Sequence, residues 1–284
     1  QIVVIGNIVD DPVVDIRHLG ELVRRVFRQL IRQGADRACV RAEAVSRYGN
    51  VTLQADIFES GRELRVNGVK IARSVDLLGN MNSVFFSPGE LRLIQDGPDE
   101  RRRFLNLSIS QTSRSYCTAL LRYSRILEQR NNLLKERDAS MILETLPVWD
   151  EQLARYAATV VRQRKEFVSM LSPLAAEAHA YLTDGAETLS VGWEKDYGEE
   201  EGEIAENLLR ELSASYERDM RLGFTTVGPH RDDMRIRIDG RDAKGFASQG
   251  QTRTAALALK LAEVEIFKQR AGEAPVLILD DVMS

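Results

Sequence analysis

The sequence predicts an α/β fold that is interrupted by an inserted α-helical antiparallel arm. Short apolar runs separated by turn residues occupy residues 38–66, which is typical of strands. Residues 99–137 are highly charged and contain neither glycine nor proline, which favours long helices. The apolar run Val276-Leu277-Ile278-Leu279 is typical of a strand buried on both faces. These observations place strands on both sides of a helical segment.

Residues 1–98 are predicted to form the first part of the α/β lobe. Apolar residues at helical spacing indicate a helix near residues 19–30. Three strands follow, separated by turn signals that contain glycine, and an antiparallel meander is their simplest arrangement. These strands are predicted over residues 38–46, 51–58 and 63–66.

The arm is predicted over residues 99–185, and the lobe resumes over residues 186–284. One arm helix covers residues 99–137, and a second covers residues 147–182, where Pro173 is expected to break or kink it. The second part of the lobe combines strands at Leu189–Trp193, Met234–Ile238 and Val276–Leu279 with helices over 204–220 and 251–269.

The composition excludes several classes of protein. Hydrophobic residues make up 43% of the 284-residue chain and charged residues 29%, and no apolar run is long enough to span a membrane. We therefore expect a cytoplasmic protein. Cys39 and Cys117 lack the spacing of a disulfide framework or a metal site. The net charge is −4, so contact with DNA would require a local basic surface.

Two adjacent carboxylates, Asp280 and Asp281, follow the last predicted strand. This is the Walker B pattern, in which the first acid holds Mg²⁺ and the second polarises the attacking water. Asp280 is accordingly the candidate magnesium ligand and Asp281 the candidate catalytic residue. Strands also end in acids without any such role, so the motif alone leaves both interpretations open.

A second motif, Ser248-Gln249-Gly250-Gln251, precedes the predicted helix over residues 251–269. Gly250 permits close approach of a ligand, and a helix amino terminus offers free N–H groups to an anion. Ser248 is also a favoured N-cap residue, so a plain helix cap is the alternative.

The two motifs together are more specific than either alone. A loop of small and polar residues, a helix of about five turns, a turn and a strand ending in two acids have the order of the signature motif and Walker B of ATP-binding-cassette proteins. This predicts a P-loop NTPase lobe, similar to the ATPase heads of ABC and SMC proteins. There the signature loop of one subunit closes on the γ-phosphate held by the other.

Longer stretches resemble the RecF family. They cover about residue 30 to the end and include Gly228-Pro229-His230-Arg231-Asp232-Asp233, Ser248-Gln249-Gly250-Gln251-Thr252-Arg253-Thr254, Leu279-Asp280-Asp281-Val282-Met283-Ser284, Arg101-Arg102-Arg103-Phe104-Leu105-Asn106 and Gln129-Arg130-Asn131-Asn132-Leu133-Leu134-Lys135.

The resemblance implies an ATP-dependent DNA-binding protein of replication, recombinational repair and the SOS response to DNA damage. It would use ATP and Mg²⁺, dimerise with ATP, and bind single-stranded and gapped double-stranded DNA. With the recombination mediator proteins RecR and RecO it would aid recombinase loading. Two alternatives stay open: an SMC-type chromosome ATPase, whose arm would be longer and heptad-regular, and a non-catalytic DNA- or partner-binding module.

The chain departs from the family pattern at several points. Gly89 and Asn106 replace residues that are usually acidic, and no G-x-x-G-x-G-K-T phosphate loop is present in the sequence. We therefore expect a chain truncated at both ends. The resemblance implies a weak DNA-dependent ATPase. Because the phosphate loop is missing, we expect this chain to be inactive alone.

Arginines on the predicted arm are the candidate DNA ligands. Arg122, Arg125 and Arg130 fall near one face of the first arm helix. Contacts from such a stripe would go to phosphates and would read no sequence. Glu128 and Glu136 are interleaved with these arginines, so a salt-bridged solvent face is the alternative. His230-Arg231 is a weaker candidate for an interface or a position near the nucleotide.

Overall fold

A four-stranded antiparallel meander forms the first part of the fold. The structure is a computed structural model, and it describes residues 30–46, 49–136 and 139–280. The three predicted strands pair in sequence order, as predicted, and a fourth strand that was not predicted follows them: β1 (Arg37–Ser46), β2 (Gly49–Phe58), β3 (Gly61–Val66) and β4 (Val69–Ile71). The helix predicted near residues 19–30 lies almost entirely outside the described residues.

A parallel strand pair joins distant parts of the chain. β5 (Ser83–Phe86) pairs with β9 (Val276–Leu279), so that Phe86 lies opposite Leu279. Among the described residues β9 has no second strand neighbour. Its Leu277 and Leu279 are 50% and 65% exposed, so the prediction that this strand is covered on both faces is wrong for the part of the chain described.

Helices occupy the middle of the chain. After a 3₁₀ turn (Pro88–Leu91) come α1 (Arg92–Gln95), α2 (Pro98–Thr112), α3 (Arg114–Leu133) and α4 (Ala139–Leu182). The single helix predicted over residues 99–137 is divided because Ser113 caps a new helix, its hydroxyl accepting from the Tyr116 N–H.

The second arm helix is continuous where a break was predicted. α4 includes both Pro147 and Pro173. Leu171 and Ala175, on either side of Pro173, are fully buried in the main core. This packing offsets the hydrogen bond that proline removes. Of the predicted break or kink at Pro173, the break is therefore wrong. Among the described residues, no helix combines the length and apolarity needed to cross a membrane.

The last part of the chain returns to mixed structure, as predicted. Its elements are β6 (Leu189–Trp193), α5 (Glu201–Ala214), α6 (Tyr216–Leu222), β7 (Met234–Ile238), β8 (Arg241–Asp242), α7 (Ala243–Phe246) and α8 (Gln249–Ala271). β6, β7 and β8 form a three-stranded antiparallel sheet.

The largest core combines the arm with the elements after it. Phe104 on α2, Phe167 on α4, Ile236 on β7 and Leu259 on α8 belong to one buried cluster. The base of the arm thus packs directly against the sheet and the last helix. The boundary between residues 185 and 186 stays a prediction.

A buried ion cluster joins the end of α3 to α4 and α6. The Arg130 side chain on α3 is fully buried and donates to Asp150 on α4 at 2.6 Å and to Asp219 on α6 at 2.8 Å. It also donates to the Thr225 hydroxyl at 2.9 Å. A guanidinium can satisfy several oxygens at once because its donors form a planar fork. One side chain therefore joins three helices and a loop.

Replacing Arg130 with alanine should destabilise the protein strongly. The change leaves the carboxylates of Asp150 and Asp219 buried without their cation, which typically costs about 3–5 kcal/mol of unfolding free energy. Arg122→Ala on the same helix is the matched control, and it should change stability by no more than about 0.5 kcal/mol because Arg122 is exposed. Urea unfolding of both variants measures the difference, and equal midpoints would contradict the assignment.

Candidate functional site

The predicted signature loop lies at the amino end of α8. Ser248 is the N-cap: its hydroxyl accepts from the Gln251 N–H at 3.2 Å, and its own N–H donates to Gln251 Oε1 at 2.9 Å. This reciprocal capping box fixes the loop without help from a ligand. Ser248, Gln249 and Gly250 are exposed. The predicted cap and an open loop are thus both present.

Gln251 is connected to two residues that lie far upstream in the sequence, Glu187 and His179. Its Nε2 donates to Glu187 Oε1 at 3.0 Å, and the other oxygen of Glu187 lies 3.2 Å from Nε2 of the fully buried His179. Neither Glu187 nor His179 was predicted as part of the site. The sequence gives no local signal for them, because they lie about 60–70 positions upstream of the loop.

Neither the backbone conformation nor the neighbouring atoms require glycine at position 250. Its φ angle is not positive, so L-residues tolerate the conformation. A Cβ built there would meet only the Ser248 hydroxyl at 3.9 Å, an ordinary contact. The N–H groups of Gln249 and Gly250 lie in the first helical turn, where no intrahelical acceptor exists. The loop therefore presents free N–H donors at an unhindered surface.

Asp280 lies directly after β9, as predicted. Its N–H donates to the Phe86 carbonyl at 2.9 Å, which continues the pairing with β5, and its side chain is exposed. Asp281 lies outside the described residues. Within the described ranges no three His, Cys, Asp or Glu side chains gather to hold a metal. One exposed carboxylate with room for water fits Mg²⁺, which keeps several waters and takes few protein ligands.

Asp280 and the signature loop are far apart within one chain. The end of β5, and with it β9, lies beside the second half of α8: Phe86 packs in one buried cluster with Val264 and Phe267. Glu90, just beyond β5, lies 3.5 Å from Lys260. The roughly twelve residues of helix between Ser248 and Lys260 rise about 18 Å. The two motifs of one chain cannot contact the same phosphate group.

The segment containing Gly228 and Asp233 is a structural junction. Arg164 of α4 donates to the Pro229 carbonyl at 2.6 Å and to Asn106 Oδ1 at 2.8 Å. Arg101 makes two hydrogen bonds of 2.8 Å to the Asp233 carboxylate. Gly228 is required here, because its φ is 123° and a Cβ would lie 2.7 Å from the Tyr123 hydroxyl. Asn106, a departure from the family pattern, still serves as the acceptor for Arg164.

His230 has a defined tautomer within this junction. Its Nε2 lies 3.0 Å from the Thr225 carbonyl, which can only accept, so Nε2 bears the proton. Nδ1 is then free to accept from the Tyr123 hydroxyl. Burial lowers the pKa of His230 to about 4, which keeps the ring neutral. These contacts assign His230 a packing role; its neighbour Arg231 is exposed, with its guanidinium over the Phe224 ring.

The predicted DNA stripe includes two exposed arginines and one buried one. Arg122 and Arg125 are exposed and line a groove between α3 and α4. Arg130 is fully buried in its ion cluster, so its prediction as a DNA ligand is wrong. The helical spacing was read correctly, but one turn further along α3 the same face is covered by α4 and α6.

These features define a class of protein. A signature-type loop on a long helix, a following strand that ends in a carboxylate, and a helical insertion are the parts of an ABC-type ATPase lobe, and the predicted fold class is confirmed by solved relatives. A structure of the recombination mediator protein RecF-ATPrS in the RecFOR pathway superposes with a TM-score of 0.82 and 31% identity, covering 95% of this chain and 78% of that one. For RecF-ATP the TM-score is 0.80, at 34% identity and 88% and 69% coverage.

Sequence comparison identifies the family. RecF, the DNA replication and repair protein of Alkaliphilus oremlandii (strain OhILAs), is 40% identical over 262 residues, which cover 90% of this chain and 71% of the relative. The chain matches no protein-family model. With identity and coverage of this extent, the chain belongs to the RecF family of DNA replication and repair proteins.

The junction should give opposing pH dependences of stability. Burial raises the pKa of Asp232 from 3.8 to about 6, so its contribution is complete below pH 3.8 and is lost as the pH rises to about 6. The pKa of His230 falls from 6.5 to about 4, so its contribution is complete above pH 6.5 and is lost as the pH falls to about 4. Between pH 4 and pH 6 the two effects largely cancel.

In Asp232→Asn, the pH dependence of stability that comes from His230 should no longer be cancelled. Asparagine still accepts the Tyr197 hydroxyl hydrogen bond, which is 2.9 Å long in the native protein. The unfolding free energy of the variant should rise more steeply than that of the native protein over this interval, by on the order of 2–3 kcal/mol. Denaturant unfolding at several pH values measures this. Parallel profiles for the two proteins would show that Asp232 does not titrate in the folded state.

Proposed function

We propose that this chain acts in an ATP-dependent DNA-binding protein of recombinational repair and replication-fork maintenance. The observation that carries the proposal is the exposed signature loop, whose Gly250 is required neither by its own backbone nor by its neighbours. A glycine at this surface position leaves room for close approach from outside the chain. The solved RecF-ATP and RecF-ATPrS relatives support a nucleotide as the group that approaches.

The loop is suited to receive a terminal phosphate. The N–H groups of Gln249 and Gly250 and the positive end of the α8 dipole would stabilise an anion there. Asp280 would hold Mg²⁺ through water, and Asp281 would orient the attacking water. When bound, Mg²⁺ neutralises charge on the phosphates and ATP supplies the phosphoryl group. The residues of this chain would bind the phosphate, orient the attacking water and accept its proton.

Distance supports action between two subunits. Asp280 follows β9, whose end lies beside the second half of α8, about 18 Å or more from the loop along the helix. A phosphate near Asp280 of one subunit could therefore meet a signature loop only if a second copy supplied it. The proposal is thus an ATP-dependent homodimer, in which nucleotide binding closes the interface and hydrolysis opens it.

DNA would bind to the arm through phosphate contacts. Arg122 and Arg125 are exposed and have no ion-pair partner in the part of the chain described. Such contacts position a protein on DNA without reading its sequence, which suits recognition of single-stranded, gapped or junction structures. In the cytoplasm, this protein would then aid recombinase loading together with RecR and RecO.

Gly250→Ala should separate folding from nucleotide-driven association. Alanine should stabilise the chain slightly, by up to about 1 kcal/mol, because it lowers the entropy of the unfolded state. The same change should weaken ATP-dependent dimerisation, because the methyl group occupies the space of the phosphate. Sedimentation of a form that contains the phosphate loop, with and without ATP, measures the association.

Gly202→Ala is the matched control for this experiment. Gly202 is also the second residue of an exposed helix start, and a Cβ there meets no atom within 4 Å. It should give a similar change in stability and leave dimerisation unaltered. If Gly250→Ala dimerises with ATP as the native protein does, the signature loop is not at the phosphate.

Neutralising Arg122 and Arg125 together should weaken DNA binding similarly for all sequences. Each lost phosphate contact should reduce the slope of log affinity against log salt concentration by about 0.9 on duplex DNA. Fluorescence anisotropy over a salt series measures the slope for Arg122→Gln/Arg125→Gln. Arg237→Gln, at an exposed position on β7, is the control. An unchanged slope in the double variant would place the DNA contacts elsewhere.

A further inference from the structure

The groove between α3 and α4 combines cations with aromatic rings. It has a volume of about 400 Å³. Two arginines, two glutamines, two aromatic residues and one isoleucine line it: Arg122, Arg125, Ile126, Gln129, Trp149, Gln152 and Tyr156. No carboxylate belongs to this lining. The groove is therefore cationic in a protein whose net charge is −4.

Each helix contributes one row of side chains. Arg122, Arg125 and Gln129 are spaced three and four residues apart on α3, and Trp149, Gln152 and Tyr156 have the same spacing on α4. Residues at this spacing share one face of a helix. A row of donors thus faces a row that contains both rings. Seven residues of helix rise about 10 Å, the length of about three stacked nucleotides at roughly 3.4 Å each.

The polar groups of the groove are available for a ligand. Neither Arg122 nor Arg125 forms an ion pair within the described residues, and the amides of Gln129 and Gln152 have no hydrogen-bond partner there. This contrasts with Arg114 and Arg130 of α3, each of which has a carboxylate partner. Three acids, Glu128, Asp150 and Glu151, lie one position away from lining residues in sequence and do not line the groove.

The aromatic rings are partly exposed. Trp149 and Tyr156 pack one side against the core of the arm, and neither is fully buried. The guanidinium of Arg155 lies 4.9 Å from the centre of the Tyr156 ring, so the ring face already accepts a planar cationic group from the solvent side. A nucleobase is likewise planar and could replace that guanidinium.

We infer that this groove binds a short segment of single-stranded nucleic acid, with bases stacked on Trp149 and Tyr156 and phosphates held by Arg122 and Arg125. Aromatic platforms beside a cationic track are how proteins hold single strands without sequence preference. The bases of a duplex are already stacked on one another, so a single strand is the form that can present its bases to these rings. The inference rests on the proposed DNA contact of the arm and adds to it the groove and the stacking residues that would hold a single strand.

The buried ion cluster holds the groove in shape before any ligand arrives. Arg130 follows Gln129 on α3, and its partner Asp150 follows Trp149 on α4, with 2.6 Å between Nε and Oδ1. The bond therefore fixes the register of the two rows. Because the groove is already ordered, little binding free energy is lost in ordering its side chains.

Binding to two oligomers of equal length tests the inference directly. One is oligothymidylate of about 15 nucleotides, and the other is an abasic strand with the same number of phosphates. The native chain should bind oligothymidylate about 10-fold more tightly than the abasic strand. Trp149→Ala and Tyr156→Ala should each weaken oligothymidylate binding by about 10-fold and leave abasic binding unchanged. Tyr181→Ala, which removes an aromatic ring that is 85% exposed elsewhere on α4, should change neither.

A spectroscopic signal identifies the ring involved. The chain has two tryptophans, Trp149 and Trp193. Oligothymidylate should quench the fluorescence of the native chain, and the quench should vanish in Trp149→Phe while most of the affinity remains. Unchanged circular dichroism and thermal midpoints of all variants confirm that the fold is intact.

Failure of this inference differs from failure of the proposed function. Equal affinity for the two oligomers, with normal loss on neutralising Arg122 and Arg125, would overturn the stacking role and leave phosphate contact standing. No effect of the arginine changes would remove DNA from the arm altogether. Saturable binding of oligoglutamate in the groove without binding of oligothymidylate would assign it to an acidic protein partner and overturn the inference.

Discussion

The Arg130 guanidinium lies where the two arm helices meet α6 and the loop at Thr225. Four separate parts of the chain depend on this one buried cation, through bonds of 2.6–2.9 Å to Asp150, Asp219 and Thr225. Buried ion pairs often contribute little net stability, because desolvation opposes their attraction. They do constrain geometry, because a partner that moves away leaves an uncompensated buried charge. Here the cluster sets the register of α3 against α4 and the position of the loop that follows α6.

That loop connects the arm to the rest of the fold. From Thr225 to Asp233 it is held by Arg164, Tyr123 and Arg101, which lie on α4, α3 and α2. α4 then packs against α8, whose amino end presents the signature loop. A rigid connection therefore extends from the proposed DNA groove to the proposed nucleotide contact. Closure of two subunits around a nucleotide would accordingly change the relative position of their two arms.

Local sequence signals predicted most of the regular structure. The meander, the strands Leu189–Trp193, Met234–Ile238 and Val276–Leu279, and the capped loop at Ser248 each depend on residues that are neighbours in sequence. The order of the signature loop, the helix and the strand could likewise be predicted, because these elements follow one another directly in the sequence.

Features that depend on contacts between residues far apart in sequence could not be predicted from local patterns. Arg130 has the same helical spacing as Arg122 and Arg125, and only the placement of Asp150 and Asp219 determines that it is buried. Pro173 continues a helix because of packing that comes from other elements. Glu187 and His179 support Gln251 from positions that no local pattern links to it. Asp280 was placed correctly after its strand, whereas its neighbour Asp281 keeps its proposed role without structural description.

The central claim is that the signature loop acts on a phosphate held near Asp280 of the other subunit. Mixing two inactive variants of a form that contains the phosphate loop tests this claim most directly. One variant has Ser248→Arg, which blocks the loop, and the other has Asp280→Asn, which removes the magnesium ligand. In a mixed dimer, the intact loop of one subunit would meet the intact Asp280 of the other, so ATP hydrolysis should reappear well above the sum of the two variants alone. If mixed dimers form but stay as inactive as their parents, the two motifs act within one chain and the account is contradicted.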